Sequence, residues 1–230
     1  MQRVLLPGDP SVEITLRPSA RARRVSLRVS ALDGRVTLSL PKGMDTAEAL
    51  AFAREKSDWI RGHLSRREER VDIAFGAEIP FRDNVITITA APVRRTAVDG
   101  NRLLVAESSA MSAPRVKAFL KLAARADLAR ASAHYSARIG REFGRITLRD
   151  TRSRWGSCSA RGDLMYSWRL VMAPPDVLDY VAAHEVAHLV ELNHSAAYWA
   201  VVADICPDYR EPRAWLRRHG AGLHRYNFKD

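Results

Sequence analysis

Five consecutive residues, His184-Glu185-Val186-Ala187-His188, place the strongest constraint on how this chain folds. Residues four positions apart lie on the same face of an α-helix, with their side chains about 5–6 Å apart. Two imidazoles at this spacing can share one divalent cation, and the glutamate beside them can reach a water on that cation. Val177 and Leu189 are apolar, so the sequence predicts a helix from Pro175 to about Glu191 that lies against a core.

A third histidine, His194, follows His188 by six residues. A straight helix would carry residue 194 away from the other imidazoles, so the chain has to bend. Asn193 is expected at the bend, because asparagine tolerates left-handed backbone angles. Three neutral imidazoles leave a tetrahedral zinc ion one open position for water, and Glu185 is predicted to take a proton from that water, whose pKa the ion lowers to about 7. The pattern therefore predicts a zinc-dependent hydrolase.

The chain carries a formal net charge of +11, and two interpretations of this charge stay open. Arginine and lysine side chains neutralise phosphates, so the basic surface could bind a nucleotide or a nucleic acid. Alternatively, the charge reflects residue usage, because only five of the 37 basic residues are lysines and the arginines are scattered along the chain.

Two cysteines, Cys158 and Cys206, are too few for a disulfide scaffold. The sequence contains no run of about 18 apolar residues, which is the length needed to span a membrane. We therefore expect a cytoplasmic protein without a membrane partner. Cys158 is either a fourth metal ligand or a structural thiol.

Alternating apolar and polar residues in the first third of the chain indicate β-strands with one buried face. These runs are Ser11–Arg17, Arg24–Ser30 and Arg35–Leu40, and shorter ones follow at Val85–Thr89 and Leu103–Val105. A helix is predicted between the two groups, from Thr46 to about Arg70. No internal repeat is visible in the sequence.

The segment Glu107–Pro114 is small, polar and ends in proline, which predicts a linker between a β-rich region, 1–108, and a second domain, 109–230. A long helix, a small set of strands and two short helices are expected in the second domain: Arg115–Phe143, Ile146–Arg149, Leu164–Leu170, Ala196–Ile205 and Pro212–His219. The predicted fold class is α+β, with a β-rich N-terminal half.

An ordered series of short motifs runs through the C-terminal half. It comprises Arg152–Ser159, Trp168–Leu170, Ala173–Pro175, His184–Leu189, Asn193–Ser195 and Tyr198–Trp199. This series closely resembles the YgjP-like family of metal-dependent hydrolases, which are zincin-type metallopeptidases. The resemblance extends over nearly the whole chain. The same block is also similar to SprT-type proteases, which act on DNA-bound proteins.

The YgjP-like resemblance implies that His184, His188 and His194 are zinc ligands and that Glu185 is the catalytic base. It further implies a zincin-like C-terminal half, in which the long helix packs beside the HExxH active-site helix under a small sheet. In zincins an edge strand over the metal pairs with an extended peptide, and the hairpin 152–170 is placed to supply it.

Two interpretations of Arg154, Trp155 and Arg169 stay open. These side chains could line the cleft and bind a substrate carboxylate, phosphate or oxyanion. Alternatively they are structural, with the tryptophan in the core and the arginines paired with Glu191 or Asp204.

The expected function is that of a zinc-dependent metallopeptidase acting on a peptide or protein. A metal-dependent nucleotide pyrophosphohydrolase and a DNA-associated protease of SprT-like type are the alternatives. A DNA-binding protein with a structural zinc fits less well, because such an ion normally has four protein ligands and no use for Glu185.

Overall fold

The computed structural model describes residues 2–30, 33–65, 69–107 and 112–228. The chain divides into two compact units, Met1–Glu69 and Arg70–Asp230. Strands dominate the N-terminal half and helices the C-terminal half, which confirms the predicted α+β class. The observed packing divides the chain at 69/70, whereas the domain boundary predicted at 108/109 stays a prediction, since residues 108–111 lie outside the described ranges.

The first unit is built on a four-stranded sheet. Its strands are β1 (Gln2–Leu6), β2 (Val12–Ser19), β3 (Ser26–Val29) and β4 (Val36–Pro41). The strand order is β1-β2-β4-β3, with antiparallel outer pairs and a parallel β2/β4 pair at the centre. The period-two pattern buries Val12, Ile14 and Leu16 on one face. The three predicted strands are therefore confirmed, and β1 is an addition to them.

The prediction of a single helix over 46–70 is wrong. The structure contains two helices in this region, α1 (Thr46–Glu55) and α2 (Ser57–Ser65). Lys56 separates them with backbone angles of φ −92° and ψ 13°, outside the helical range. The break allows both helices to place apolar side chains in one core: Ala49 and Ala53 of α1, and Ile60 of α2.

The second unit begins with a short strand, β5 (Val71–Asp72), and a second four-stranded sheet. The strands of this sheet are β6 (Glu78–Phe81), β7 (Asn84–Ala91), β8 (Ala97–Asp99) and β9 (Arg102–Ala106). Their order, β6-β7-β9-β8, again combines antiparallel outer pairs with a parallel central pair. The two sheets thus share one topology, a repeat that the sequence search missed because strand topology depends on the alternation of apolar positions and not on residue identity.

The long helix α3 (Ser112–Ile139) follows this sheet and contributes a row of buried side chains to the core of the second unit. Its buried residues recur every fourth position, as Val116, Leu120, Ala124 and Leu128. Residues 112–114 of the predicted linker belong to this helix. Residues 108–111 of the linker lie outside the part of the chain that the structure describes. The helix ends earlier than the predicted Phe143, because Gly140 adopts φ +62°, the left-handed conformation that commonly terminates helices.

A three-stranded sheet follows α3 in the chain. It contains β10 (Ile146–Arg149), β11 (Gly156–Cys158) and β12 (Leu164–Ser167), with β12 in the centre and β11 at an edge. The predicted strand 164–170 is three residues too long at its end, since Trp168–Met172 forms a 3₁₀ turn whose residues are all buried. The hydroxyl groups of Ser132 and Tyr166, 3.0 Å apart, join α3 to β12.

Three further helices complete the unit: α4 (Pro175–Ala187), α5 (Ala196–Ile205) and α6 (Arg210–His219). As predicted, α4 starts with proline in its first turn, followed by Asp176, which complements the positive end of the helix. Tyr135 of α3 donates a hydrogen bond to Asp179 of α4. Near the end of the chain, β13 (Tyr226–Asn227) pairs with β5. Among the described residues, no helix has the length and apolar content needed to cross a membrane.

A buried arginine, Arg169, ties the 3₁₀ turn to the end of the chain. Its guanidinium donates to both carboxylate oxygens of Asp150, at 2.6 and 3.2 Å, and to the carbonyls of Leu223 and Tyr226. Partial burial acts to raise the pKa of Asp150, but the hydrogen bonds and charge of Arg169 outweigh it and hold this pKa below its ordinary value. The pair therefore stabilises the folded state only while Asp150 is ionised.

Replacing Asp150 by asparagine is expected to lower the free energy of unfolding by about 1–3 kcal/mol near neutral pH, because the buried guanidinium loses its counter-charge. Asp150 is 40% exposed, which keeps the loss below that of a fully buried pair. Urea denaturation measures the change. The Asp127→Asn variant is the matched control, since its partner Arg82 is 45% exposed and a smaller loss is expected.

The loss should also depend on pH. The folded-state pKa of Asp150 lies below its ordinary value of 3.8, so its stabilising contribution is fully present above that pH and disappears as the pH falls through the folded-state pKa. The wild type and Asp150→Asn should converge in stability under those acidic conditions. A difference that stays constant throughout would contradict this assignment.

Candidate metal centre

Three histidine side chains converge at the C-terminal end of α4. The ligand atoms of His184, His188 and His194 all lie within 4.8 Å of one another, and the Nε2 atoms of His184 and His194 are 3.1 Å apart. Two nitrogens bound to one tetrahedral zinc at 2.0–2.1 Å are separated by roughly 3.3 Å. The donor set and its spacing therefore fit a divalent transition-metal ion, as the sequence spacing predicted.

The bend that returns His194 to α4 is built without a left-handed residue. The helix ends in tight turns, in which the Leu189 and Val190 N–H groups bond to the carbonyls three residues before them. A second tight turn closes where the Ser195 N–H bonds to the Asn193 carbonyl at 2.8 Å. Positive φ angles at described non-glycine residues occur only at Arg82 and Asp83, so the expected left-handed Asn193 is wrong.

The start of α5 fixes the far side of the bend. Ser195 is the N-cap of this helix, and its hydroxyl accepts a hydrogen bond from the Tyr198 N–H at 3.2 Å. His194 precedes the cap directly, so the direction of α5 determines where its imidazole points.

The environment of His184 and His188 keeps these imidazoles neutral, which is the form that binds a metal. Burial, together with His188 and His194, lowers the pKa of His184 to about 3, and burial also lowers the pKa of His188. The Nδ1 atom of His188 lies 2.9 Å from the Glu191 carbonyl oxygen. A carbonyl can only accept, so Nδ1 carries the proton and Nε2 presents its lone pair towards the other imidazoles.

Aromatic side chains from α5 surround the histidines. The Tyr198 ring stacks on His188 with centroids 4.5 Å apart, and the Trp199 ring stacks on His194 at 5.9 Å. The Tyr198 hydroxyl also donates to the His184 carbonyl at 2.9 Å. These contacts restrict the rotation of the imidazoles and so orient them before any ion binds.

The carboxyl group of Glu185 packs against the edge strand β11. The residue is 5% exposed, and burial raises its pKa to about 8, against the opposing effects of the Arg154 charge and a hydrogen bond from the Cys158 N–H. Gly156 makes this position accessible, because a Cβ on it would lie 2.7 Å from Cδ of Glu185. Glycine in a strand often marks such a close approach.

An open cleft of about 400 Å³ gives access to these groups. The three histidines, Glu185, Arg154, Trp155 and Cys158 all line it. The structure therefore brings Arg154 and Trp155 to the predicted site. Cys158 is not in the cluster of ligand atoms, its thiol donates to the Ser159 carbonyl, and burial raises its pKa to about 11. These features favour a structural thiol over a fourth ligand.

Arg169 does not line the cleft. It is 6% exposed and holds Asp150 and two backbone carbonyls, as described above. The placement favours the structural interpretation of this arginine, although its partner is Asp150 and not Glu191 or Asp204. The prediction failed to separate Arg169 from Arg154 because both are arginines beside a tryptophan in the sequence.

Comparison with known proteins supports what the geometry indicates. The profile of the family described as "YgjP-like, metallopeptidase domain" matches residues 23–219. The chain belongs to the YgjP-like family. The predicted family is thereby confirmed, and membership supports a hydrolase of the metallopeptidase type that uses a metal ion. No curated protein matches the chain.

One solved structure that matches is the crystal structure of the metallopeptidase zymogen of Pyrococcus abyssi abylysin. It is 18% identical in sequence, the match covers 40% of this chain and 92% of the abylysin chain, and the TM-score is 0.36.

Two features of the site in this YgjP-like chain escaped sequence reasoning. Gly156 and Tyr198 were part of the motif series, but neither was given a role. Gly156 provides room for the buried glutamate, and Tyr198 fixes two of the imidazoles. The position of Gly156 within the predicted hairpin 152–170 was the available sequence signal for its contact with Glu185. The contacts of Tyr198 depend on how α5 packs and have no comparable signal in the sequence.

Replacing Gly156 by alanine is expected to displace the Glu185 carboxyl group and to lower the free energy of unfolding by about 1–3 kcal/mol, because the added methyl overlaps that group. In a Glu185→Ala background the overlap is absent, so the same substitution should cost much less. Urea denaturation of the single and double variants measures this coupling.

The Gly62→Ala variant is the matched control. A Cβ at Gly62 meets no atom within 4 Å, and its helical position should gain up to about 1 kcal/mol from alanine. Equal penalties for Gly156→Ala in both backgrounds would show that the contact with Glu185 is not responsible.

Proposed function

We propose that the chain is a zinc-dependent metallopeptidase with a zincin-like C-terminal half, in which His184, His188 and His194 bind the ion and Glu185 transfers protons. The convergence of three imidazoles in one cleft with a buried carboxyl group is the observation that carries this proposal. The family match over residues 23–219 supports the peptidase class.

Zinc is the ion that best suits this donor set. Imidazole nitrogen is a borderline ligand that binds zinc well, and three protein ligands are typical of catalytic zinc. When bound, such an ion supplies Lewis-acid chemistry that makes water nucleophilic at neutral pH and polarises a carbonyl group. The stacked rings of Tyr198 and Trp199 hold the imidazoles ready, so little conformational entropy is lost on binding.

Glu185 is suited to carry a proton between water and the departing amine. Its pKa, raised by burial to about 8, lies near neutrality, where a carboxyl group can both accept and release a proton. The Cys158 N–H and the nearby charge of Arg154 favour the ionised form that must act first. Its Oε atoms thus take a proton from the attacking water and later deliver it to the leaving nitrogen.

The edge strand β11 offers backbone groups for an extended peptide. The Trp155 carbonyl accepts from the Ser167 N–H, and the Ser159 N–H donates to the Asp163 carbonyl, so these residues bond to the β12 side. Bonding alternates along antiparallel strands, and Gly156 and Cys158 therefore direct their backbone groups to the other edge of β11, where the Cys158 N–H bonds to Glu185. A substrate strand added there runs along the cleft and past Glu185.

Arg154 and Trp155 are proposed to contact this substrate, since both line the cleft at the start of β11. Binding of nucleotides or nucleic acids by the basic surface stays a prediction, as does the cytoplasmic location. Assays with casein, nucleoside triphosphates and single-stranded DNA, each with and without a chelator, separate the proposed function from its alternatives. Casein cleavage that the chelator abolishes is the expected outcome.

The purified protein should bind about one zinc ion per chain, and zinc should raise its melting temperature by stabilising the folded state alone. In His194→Ala we expect zinc affinity to fall by about 100-fold or more and the thermal shift to vanish. Metal analysis and differential scanning calorimetry measure both effects. His134→Ala is the control, because His134 is exposed and outside the cluster. Unchanged zinc binding in His194→Ala would refute the proposed ligand set.

Glu185→Gln should retain zinc and lose peptide cleavage by about 10²–10⁴-fold, because glutamine keeps the shape of the side chain but cannot transfer a proton. Rates of casein or peptide hydrolysis, normalised to zinc content, measure the loss. Glu191→Gln is the matched control, since this acid does not line the cleft and should keep wild-type rates. Wild-type rates in Glu185→Gln would exclude the proposed role.

A further inference from the structure

A second pocket lies on the outer face of the three-stranded sheet, away from α4. Its volume is about 360 Å³. We call it the outer-face pocket, and its lining includes Arg145, Thr147, Arg149, Arg154, Ser157 and Met165. Of the candidate site residues discussed from the sequence, Arg154 and Cys158 line it.

Strand register explains why these side chains share one face. Met165 of the central strand pairs with Thr147 on one side and with Ser157 on the other, so the three form one row across the sheet. Arg149 follows Thr147 by two positions and points to the same face. The neighbouring Tyr166 of the central strand points to the opposite face and is buried in the core.

The charge of the outer-face pocket is strongly unbalanced. Three arginines line it, and Asp163 is the one acid among the described residues that do so. Asp163 is already engaged, because it accepts from the Arg145 backbone N–H at 3.1 Å and pairs with the Arg145 guanidinium at 3.4 Å. Within the described part of the chain, neither Arg149 nor Arg154 forms an ion pair with a carboxylate. The Arg149 guanidinium thus faces the pocket without a carboxylate partner among the described residues, whereas the charge of Arg154 also acts on Glu185.

The outer-face pocket adjoins the metal cleft at β11. Arg154, Ser157 and Cys158 line both cavities, so the two are separated only by this edge strand. In a strand paired with the free edge of β11, successive side chains would alternate between the two faces of the sheet. The side chain opposite Ser157 would therefore lie over the outer-face pocket, while its neighbours point towards α4.

We propose that the outer-face pocket binds an acidic side chain, aspartate or glutamate, at the substrate position opposite Ser157. Guanidinium groups match carboxylates in shape and charge, since both are planar and can form two parallel hydrogen bonds. The proposal deepens the peptidase function and rests on it. It makes Arg149 and Arg154 specificity-determining residues, with Arg154 serving both cavities.

The test uses zinc-loaded protein and peptides that are identical except for glutamate, glutamine or lysine at one position. That position is moved through the residues on both sides of the cleaved bond. At one position kcat/KM for the glutamate peptide should exceed that for the glutamine peptide by about tenfold, a modest ratio because the arginines are exposed to solvent. The preference should shrink as the salt concentration rises.

Arg149→Gln should bring this ratio close to one, and Arg149→Glu should reverse it in favour of the lysine peptide. Arg161→Gln is the matched control: it removes the same charge from the turn between β11 and β12, but Arg161 does not line the outer-face pocket. The control should keep the full glutamate preference. Cleavage without any such preference, or a preference that survives in Arg149→Gln, would overturn the proposal.

Binding measurements keep this test separate from that of the peptidase function. Fluorescence anisotropy with the zinc-loaded Glu185→Gln variant compares affinities for the glutamate and glutamine peptides without turnover. Selective binding with no cleavage by the wild type would refute the peptidase function but support the assignment of the pocket. Tight, Arg149-dependent binding of a nucleoside triphosphate that displaces the glutamate peptide would instead assign the pocket to phosphate and overturn the peptide proposal.

Discussion

The bend between α4 and α5 is the constraint on which the candidate site depends. Helical geometry brings His184 and His188 to one face, but it carries the following residues away. Tight turns after His188 and the N-cap at Ser195 reverse the chain and return the third imidazole to within hydrogen-bonding distance of the first. The aromatic rings of α5 then hold this arrangement in place.

Burial has opposite consequences for the two kinds of titratable group at the site. It lowers the pKa of His184 and His188, so these side chains stay neutral and present lone pairs. It raises the pKa of Glu185 towards neutrality, so this side chain can exchange a proton. One feature, the packing of α4 against α3 and β11, thus sets the protonation of both the proposed ligands and the proposed acid–base group. Gly156 is part of the same packing, since it lets the carboxyl group lie directly against β11.

The edge strand β11 connects the two cavities of the second unit. On its α4 side lie the histidines and Glu185, and on its outer side lie three arginines and one acid, Asp163. The central strand β12 fixes this division, because its pairing with both neighbours sets which residues share a face. Arg169, by contrast, stabilises the fold, since its guanidinium donates hydrogen bonds to two backbone carbonyls and to the carboxylate of Asp150.

Features set by neighbouring residues could be predicted from the sequence, because they depend on local geometry. The histidine spacing, the alternating strands and the proline at the start of α4 are of this kind, and they account for the family and much of the fold. Tertiary packing decided what distant residues do. It separated the buried Arg169 from Arg154 in the cleft, broke the helix at Lys56 and placed Gly156 against Glu185. The reason is physical: burial and charge partners depend on which segments meet in space, and a short stretch of sequence does not contain that information.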